Sequence, residues 1–168
     1  MNIETERKFL IESPDISILE NQPGFRKRNI VQTYLIPLSK SEKNRRVRCI
    51  SENGHVSYTY AVKRKISVLS REENEFTISE SEYESLKRES VSDLTKTRYS
   101  FPYSGHTIEI DVYAENIGKK KLKGKAVLEI ELKSESEQFE IPDFINVLAE
   151  ITGNGNYSNM KLAQKIQL

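Results

Sequence analysis

The sequence predicts an α+β protein in which about eight β-strands close into a barrel around a charged interior, with helices packed outside. Charged residues occupy every second position in six strand-like stretches, so each stretch directs its charges to one face. Charges within a stretch mostly share a sign, as in Glu4 with Glu6 and Arg46 with Arg48, and they therefore need counter-charges from elsewhere. The apolar residues between them must be buried against other elements. A closed barrel meets both demands, because its lumen takes the charges and its outer surface packs under helices.

The charged faces have a simpler interpretation, since one face of an ordinary half-buried sheet meets water. Six such stretches in 168 residues favour strands that converge on a common charged cavity. Carboxylates in one part of that cavity could hold a divalent metal, and Lys and Arg in the rest could hold a phosphate chain.

Length and composition fit one domain covering residues 1–168. The 26 basic and 25 acidic residues leave a net charge of only +1, which argues against nucleic acid or an anionic membrane as a partner. The single cysteine, Cys49, excludes an intramolecular disulfide and fits a reducing compartment. Neither a membrane-spanning apolar run nor a signal peptide is visible, so we expect a soluble cytoplasmic protein.

The individual strands follow from the alternation and from the turn residues between them. Asn53-Gly54 is a strong hairpin signal, and the segment 102–105 separates a second strand pair. The predicted strands are 2–11, 30–37, 45–51, 57–65, 73–78, 96–101, 106–115 and 126–134. Residues 119–125 form a basic loop, interpreted either as a solvated segment or as a rim that draws in an anionic substrate.

Three helical regions are predicted before the last strand. Short helical or turn segments cover 15–20 and 23–28. Ser79 or Ser81 caps a helix that places Tyr83 on its apolar side.

Two further helices are predicted to close the chain. Pro142 suits the first turn of a helix that buries four apolar residues, and Gly153 lies just beyond its end. Those four residues are Phe144, Val147, Leu148 and Ile151. Ser158 or Asn159 caps a final helix that directs three residues inward. These are Met160, Ala163 and Ile166.

Two common classes of site are disfavoured. The sequence has no Walker-type glycine-rich loop, which argues against a P-loop nucleotide enzyme. His55 and His106 each follow a predicted turn without a second His or Cys at ligand spacing, which argues against a zinc site.

An ordered set of motifs resembles one known family over essentially the whole chain. Glu4-x-Glu6-x-Lys8 is similar to the ExExK signature of the CYTH proteins, also called triphosphate tunnel metalloenzymes. The later landmarks of that family appear in order as Gln32-x-Tyr34-Leu35, Arg46-x-Arg48, Lys63, Arg71-x-Glu73-x-Glu75, Lys96-x-Arg98-Tyr99, Asp111-x-Tyr113 and Leu128-Glu129-Ile130-Glu131-Leu132. Near the end, Glu150-Ile151-Thr152 and Tyr157-Ser158-Asn159 resemble two further family segments.

The resemblance implies a closed eight-stranded antiparallel tunnel that grips a triphosphate and binds Mg²⁺ or Mn²⁺. The implied metal ligands are Glu4, Glu6, Glu129 and Glu131, with the tunnel acid Asp111 as a further member whose role is less defined. The implied phosphate contacts are Lys8, Arg46, Arg48, Lys63, Lys96 and Arg98. Glu73 and Glu75 match acidic positions that assist the metal or the attacking water, and either could accept the proton of that water. Tyr34 could orient a phosphate or the water, or it could be a core tyrosine with its hydroxyl at the lumen.

The function that this resemblance favours is metal-dependent hydrolysis of inorganic triphosphate to pyrophosphate and phosphate. A class IV-type adenylyl cyclase remains open, as does hydrolysis of nucleoside or thiamine triphosphate. A third hypothesis is a non-catalytic polyphosphate-binding module, although an anion binder gains nothing from carboxylates beside its ligand. The expected partner is a small triphosphate-containing substrate, and a homodimer is compatible with this interpretation.

Overall fold

Antiparallel strands form a complete ring in the computed structural model, which describes residues 2–40, 42–118 and 120–166. The strands are β1 (Asn2–Glu12), β2 (Arg26–Leu35), β3 (Asn44–Glu52), β4 (His55–Lys65), β5 (Ser70–Ile78), β6 (Ser90–Tyr103), β7 (His106–Tyr113), β8 (Lys125–Leu132), β9 (Val147–Glu150) and β10 (Gln164–Lys165). The α-helices are α1 (Ile16–Glu20), α2 (Glu80–Leu86) and α3 (Asn159–Leu162), with 3₁₀ turns at Lys87–Glu89 and Gly155–Tyr157.

The ring contains eight strands in the order β1-β5-β4-β3-β2-β6-β7-β8, and it closes where β8 pairs with β1. All of these neighbours are antiparallel, so the predicted closed eight-stranded barrel is confirmed. The hairpin between β3 and β4 turns through Asn53 and Gly54, both with positive φ, as the Asn-Gly signal predicts. Lys119, the first residue of the expected basic loop, lies outside the described residues.

The predicted helix after Pro142 is wrong, because the chain there forms a turn and then β9. β1 pairs with β5 only through Asn2–Thr5, which leaves the backbone edge of its second half open on that side. β9 occupies this edge, and the Ile151 amide extends the pairing by donating to the Lys8 carbonyl at 2.8 Å. Unpaired backbone groups inside a protein are costly, so the free edge of β1 outweighs the helical pattern.

The outer surface of the barrel is covered partly by helices and partly by an extended segment. Leu19 of α1 and Ile145 of the segment before β9 pack on the buried Ile110 and Ile130. On the other side, α2 buries Tyr83 against the barrel wall. Ser79 caps α2 through a reciprocal capping box, as predicted.

One end of the lumen is apolar. Leu10, Leu94 and Val127 continue the strand faces that carry Lys8, Lys96 and Glu129, and they pack with Leu162 of α3. Ser158 caps α3 as predicted, but Leu162 is the residue that α3 buries, whereas Met160 is exposed. The C-terminal segment therefore lies across this end, and the charged part of the lumen begins beyond it.

Across the described residues, none of the helices has the length and hydropathy that crossing a bilayer requires.

Candidate active site

The lumen contains a cavity of about 360 Å³ whose walls are mainly charged. Strand alternation brings twelve of the fourteen predicted site residues to its surface. These are Glu4, Glu6, Lys8, Tyr34, Arg46, Arg48, Lys63, Glu73, Glu75, Arg98, Glu129 and Glu131. Lys96 and Asp111 do not line the cavity, and they lie behind Arg98 with side-chain exposures of 0% and 1%.

Lys63 holds two carboxylates together on one wall of the cavity. Its Nζ lies 2.6 Å from Glu4 Oε2 and 2.7 Å from Glu73 Oε2, and Arg46 Nη2 lies 2.7 Å from Glu73 Oε1. Burial and a hydrogen bond with Glu73 raise the pKa of Glu4 to about 7, with Lys63 opposing the rise. The pKa of Glu73 is instead lowered, because the Glu4 hydrogen bond, Arg46 and Lys63 outweigh its burial. Glu73 is therefore the anion of the pair, and Glu4 holds a proton up to near neutral pH.

Arg98 is fixed by a buried network. Asp111 accepts hydrogen bonds from Arg98 Nε at 2.7 Å and Nη2 at 2.8 Å, and from Lys96 Nζ at 2.5 Å. Burial and the nearby Arg98 lower the pKa of Lys96 to about 8. The pKa of Asp111 is lowered, because Arg98 and Lys96 outweigh its burial. Both Asp111 oxygens are engaged, so this carboxylate orients Arg98 from behind.

Glu129 connects Arg98 to β1. Lys8 Nζ lies 3.1 Å from one Glu129 oxygen, and Arg98 Nη2 lies 3.2 Å from the other. These two cations outweigh burial and hold the pKa of Glu129 well below its usual range. Arg98 also forms an ion pair with Glu109 of β7.

A chain of polar contacts leads to Tyr34. Arg48 Nε donates to Gln32 Oε1 at 2.8 Å, and Gln32 Nε2 donates to the Tyr34 hydroxyl at 2.7 Å. Arg48 Nη1 also contacts Glu75 Oε2 at 3.1 Å. Burial, assisted by Arg46, lowers the pKa of Arg48 to about 10. The position of Tyr34 matches the interpretation as a core tyrosine, since its ring belongs to the apolar cluster and its hydroxyl faces the polar lumen.

The carboxylates of β1 and β8 offer oxygen donors of the kind that a divalent metal ion binds. Glu131 has no hydrogen-bond or salt-bridge partner among the described residues, and burial together with Glu109 and Glu6 raises its pKa. The nearest cation to Glu6 is Arg71, with 4.0 Å between Nη1 and Oε1. Such under-compensated oxygen donors fit a hard divalent cation. Within the described ranges, however, no three acidic side chains converge closely enough to enclose an ion as placed.

The cavity also includes residues that were given no role from the sequence. Arg28, Asn44, Arg71 and Glu109 line it, each in step with predicted neighbours on the same strand face. Strict alternation was therefore the signal that could have identified them. Ser158, Asn159 and Met160 line it too. No pattern in the sequence assigns those three to the cavity, because their position there depends on where the C-terminal segment packs.

Comparisons with known proteins were consistent with this geometry. A family model described as CYTH domain matches residues 2–164. The solved structure of the inorganic triphosphatase NE1496 is similar, with 26% identity, a TM-score of 0.57, and coverage of 97% of this chain and 95% of that one. No curated protein sequence matches the chain.

Two more distant structures share the fold. PH1819 from Pyrococcus horikoshii OT3 is 22% identical with a TM-score of 0.57, and the match covers 78% of this chain and 80% of that one. The Hippeastrum protein HpAC1, a candidate adenylyl cyclase with a dominant triphosphatase activity, is 14% identical with a TM-score of 0.50 over 78% of this chain and 80% of its own.

Proposed function

This chain belongs to the CYTH domain family, and we propose that it is a divalent-metal-dependent hydrolase that cleaves inorganic triphosphate into pyrophosphate and phosphate. The observation that carries the proposal is the division of one cavity into two kinds of surface. Cations from several strands line most of it, while Glu6 and Glu131 face each other and no cation among the described residues lies closer than 4.0 Å to either carboxylate. The likeness to the inorganic triphosphatase NE1496 at 26% identity over almost the whole chain supports the choice of substrate.

The phosphate chain is bound by Lys8, Arg46, Arg48, Lys63 and Arg98. Guanidinium groups offer planar forks to phosphate oxygens, and ammonium groups offer point charges. Arg46 retains a free donor, because its buried Nε has no hydrogen-bond partner among the described residues. Asp111 holds the Arg98 guanidinium in place, and Lys96 in turn holds Asp111, so both act through Arg98. We assign both of them to positioning, in place of the direct ligand roles expected from the sequence.

Mg²⁺ or Mn²⁺ would be held by Glu6 and Glu131, with Glu4 and Glu129 beside them. When bound, the ion supplies Lewis-acid stabilisation of negative charge on phosphate oxygens. Glu4 must lose its proton to join this set, and Lys63 lies ready to stabilise the resulting anion.

Glu75 is the better candidate to accept the proton of the attacking water. Glu73 is held between Arg46 and Lys63, and its lowered pKa makes it a weak base. Glu75 contacts a single cation, Arg48, and its side chain is 36% exposed, so water reaches it. This assignment separates two acids that the sequence left equivalent.

The test is incubation of purified protein with tripolyphosphate, ATP or thiamine triphosphate, each with Mg²⁺, Mn²⁺ or EDTA. We expect phosphate and pyrophosphate from tripolyphosphate, only with metal. Cyclic AMP from ATP would instead identify an adenylyl cyclase, and tight binding without turnover would identify a polyphosphate-binding module. Hydrolysis that persists in EDTA would contradict the metal requirement.

A further inference from the structure

Arg28 is a cavity residue that the site described above does not use. It lies on β2 directly opposite Arg98 on β6, and both side chains face the lumen. Tyr34 lies on the same face of β2 six residues later, which corresponds to roughly 20 Å along the strand. Arg28 therefore widens the cationic surface beside Arg98, at a distance from the apolar end of the lumen where Tyr34 packs.

The charge of Arg28 is less compensated than that of the five cavity cations assigned above to the phosphate chain. Its closest carboxylate oxygen, on Glu109, lies 3.8 Å from Nη2, and Nη2 makes a long hydrogen bond of 3.3 Å to Ser100 Oγ. By comparison, Lys8 and Lys63 each have a carboxylate oxygen within 3.1 Å. An anion in the lumen would complete the interactions of this guanidinium.

The Nε atom of Arg28 strengthens this argument. It is buried and has no hydrogen-bond partner among the described residues, while the side chain as a whole retains 21% exposure. A buried donor left without a partner costs free energy, and such groups in native proteins call for an explanation. A bound anion that accepts from this donor supplies one.

We propose that Arg28 and Arg98 form a subsite for one terminal phosphate of the triphosphate, the one at the end distant from Tyr34. This subsite favours the binding of inorganic triphosphate over that of triphosphate esters. The inference rests on the proposed function and deepens it. A free terminal phosphate offers three non-bridging oxygens and close to two negative charges. ATP has one free terminal phosphate as well, but the C-terminal segment lies across the apolar end of the lumen, so its nucleoside and its α-phosphate would lie on the Arg28 side. That α-phosphate offers two non-bridging oxygens and one charge. Two adjacent guanidinium groups therefore form stronger interactions with a free terminal phosphate than with an esterified one.

The experiment compares the binding of tripolyphosphate and ATP by calorimetry in EDTA, which needs no turnover. Arg28→Gln is the test variant, and Arg28→Lys keeps the charge without the fork. Arg26→Gln is the matched control, because Arg26 lies two residues earlier on β2, is held by Glu52 through two contacts of 2.7 Å, and does not line the cavity.

We expect Arg28→Gln to weaken tripolyphosphate binding about tenfold or more, as the loss of hydrogen bonds between charged groups does. ATP binding should change less than about threefold, Arg28→Lys should fall between wild type and Arg28→Gln, and Arg26→Gln should match wild type for both ligands. Equal losses for the two ligands, or no loss for tripolyphosphate, would overturn the subsite. If Arg28→Gln melts below the assay temperature, the losses of tripolyphosphate binding and of ATP binding are compared in Arg28→Lys instead.

The two proposals fail in distinguishable ways. If wild-type protein binds tripolyphosphate but never hydrolyses it with Mg²⁺ or Mn²⁺, the proposed hydrolase activity is overturned. The subsite is then still decided by whether Arg28→Gln weakens the binding of tripolyphosphate more than the binding of ATP. Wild-type protein that hydrolyses tripolyphosphate, with an unchanged binding ratio in Arg28→Gln, overturns the subsite alone.

Discussion

Glu6 on β1 lies directly opposite Glu131 on β8, so two carboxylates face each other across one antiparallel pair in the lumen. Like charges in that arrangement repel, and burial adds to the cost. The pKa of Glu131 is raised accordingly, by burial first and then by Glu109 and Glu6. A bound cation would reduce this repulsion between the two carboxylates.

Glu131→Gln should have opposite effects with and without metal. In EDTA the variant should melt at a higher temperature than wild type, because one of the repelling charges is gone. With Mg²⁺ or Mn²⁺ it should lose the stabilisation by metal that wild type gains, and turnover should fall by about 100-fold or more. Glu72→Gln is the control, since Glu72 pairs with Arg64 and does not line the central cavity. Wild-type turnover in Glu131→Gln would remove Glu131 from the ligand set.

Arg48→Gln should raise the KM for tripolyphosphate by about tenfold, because a charge-assisted contact to phosphate is lost. The variant also breaks the contact of Arg48 with Gln32, so the position of the Tyr34 hydroxyl should loosen. Arg64→Gln, a change of the same type at an exposed position, should leave KM unchanged. Steady-state kinetics measures the KM of each variant, and an unaltered KM in Arg48→Gln would contradict the role of Arg48 in phosphate binding.

Asp111→Asn should lower the free energy of unfolding by about 3 kcal/mol, because breaking a buried ion pair leaves an uncompensated charge inside the protein. Lys96→Met added to Asp111→Asn should recover part of that loss, since it removes one of the two cations left without Asp111. Urea denaturation measures both variants. Purely additive losses in the double variant would show that the two side chains are not energetically coupled.

The raised pKa of Glu4 gives a prediction about pH. Its usual value of 4.5 becomes about 7 in the folded protein, so between these values the folded state holds a proton that the unfolded state has released. Stability from this group is therefore full below pH 4.5 and lost as the pH rises through 7. In EDTA, wild-type protein should lose stability between pH 5 and pH 8 relative to Glu4→Gln.

Urea denaturation of both proteins across that pH range isolates the contribution of Glu4, because the other titrating groups are common to the two. A constant difference between the curves would mean that Glu4 titrates alike in the folded and unfolded states.

Strand faces were the most predictable part of this protein. Side-chain direction on a strand repeats every two residues, so Glu4, Glu6 and Lys8 had to share a face before any partner strand was known. The same rule covered Arg28 and Glu109, which were given no role only because none of the family motifs included them. The helix expected after Pro142 failed for the opposite reason. Its outcome depended on an open backbone edge of β1, which no pattern within residues 142–151 can reveal.

The sequence by itself determined which residues alternate, and hence that acids and bases from many strands share an interior. Tertiary structure alone decided which charges meet, as when the pairing of β5 with both β4 and β1 brings Lys63 between Glu4 and Glu73. It also decided that both Asp111 oxygens are engaged behind Arg98, while the Glu131 side chain has no salt-bridge partner within the part of the chain that the structure describes. Alternation is a local property of the backbone, whereas pairing depends on the register between strands that lie far apart along the chain.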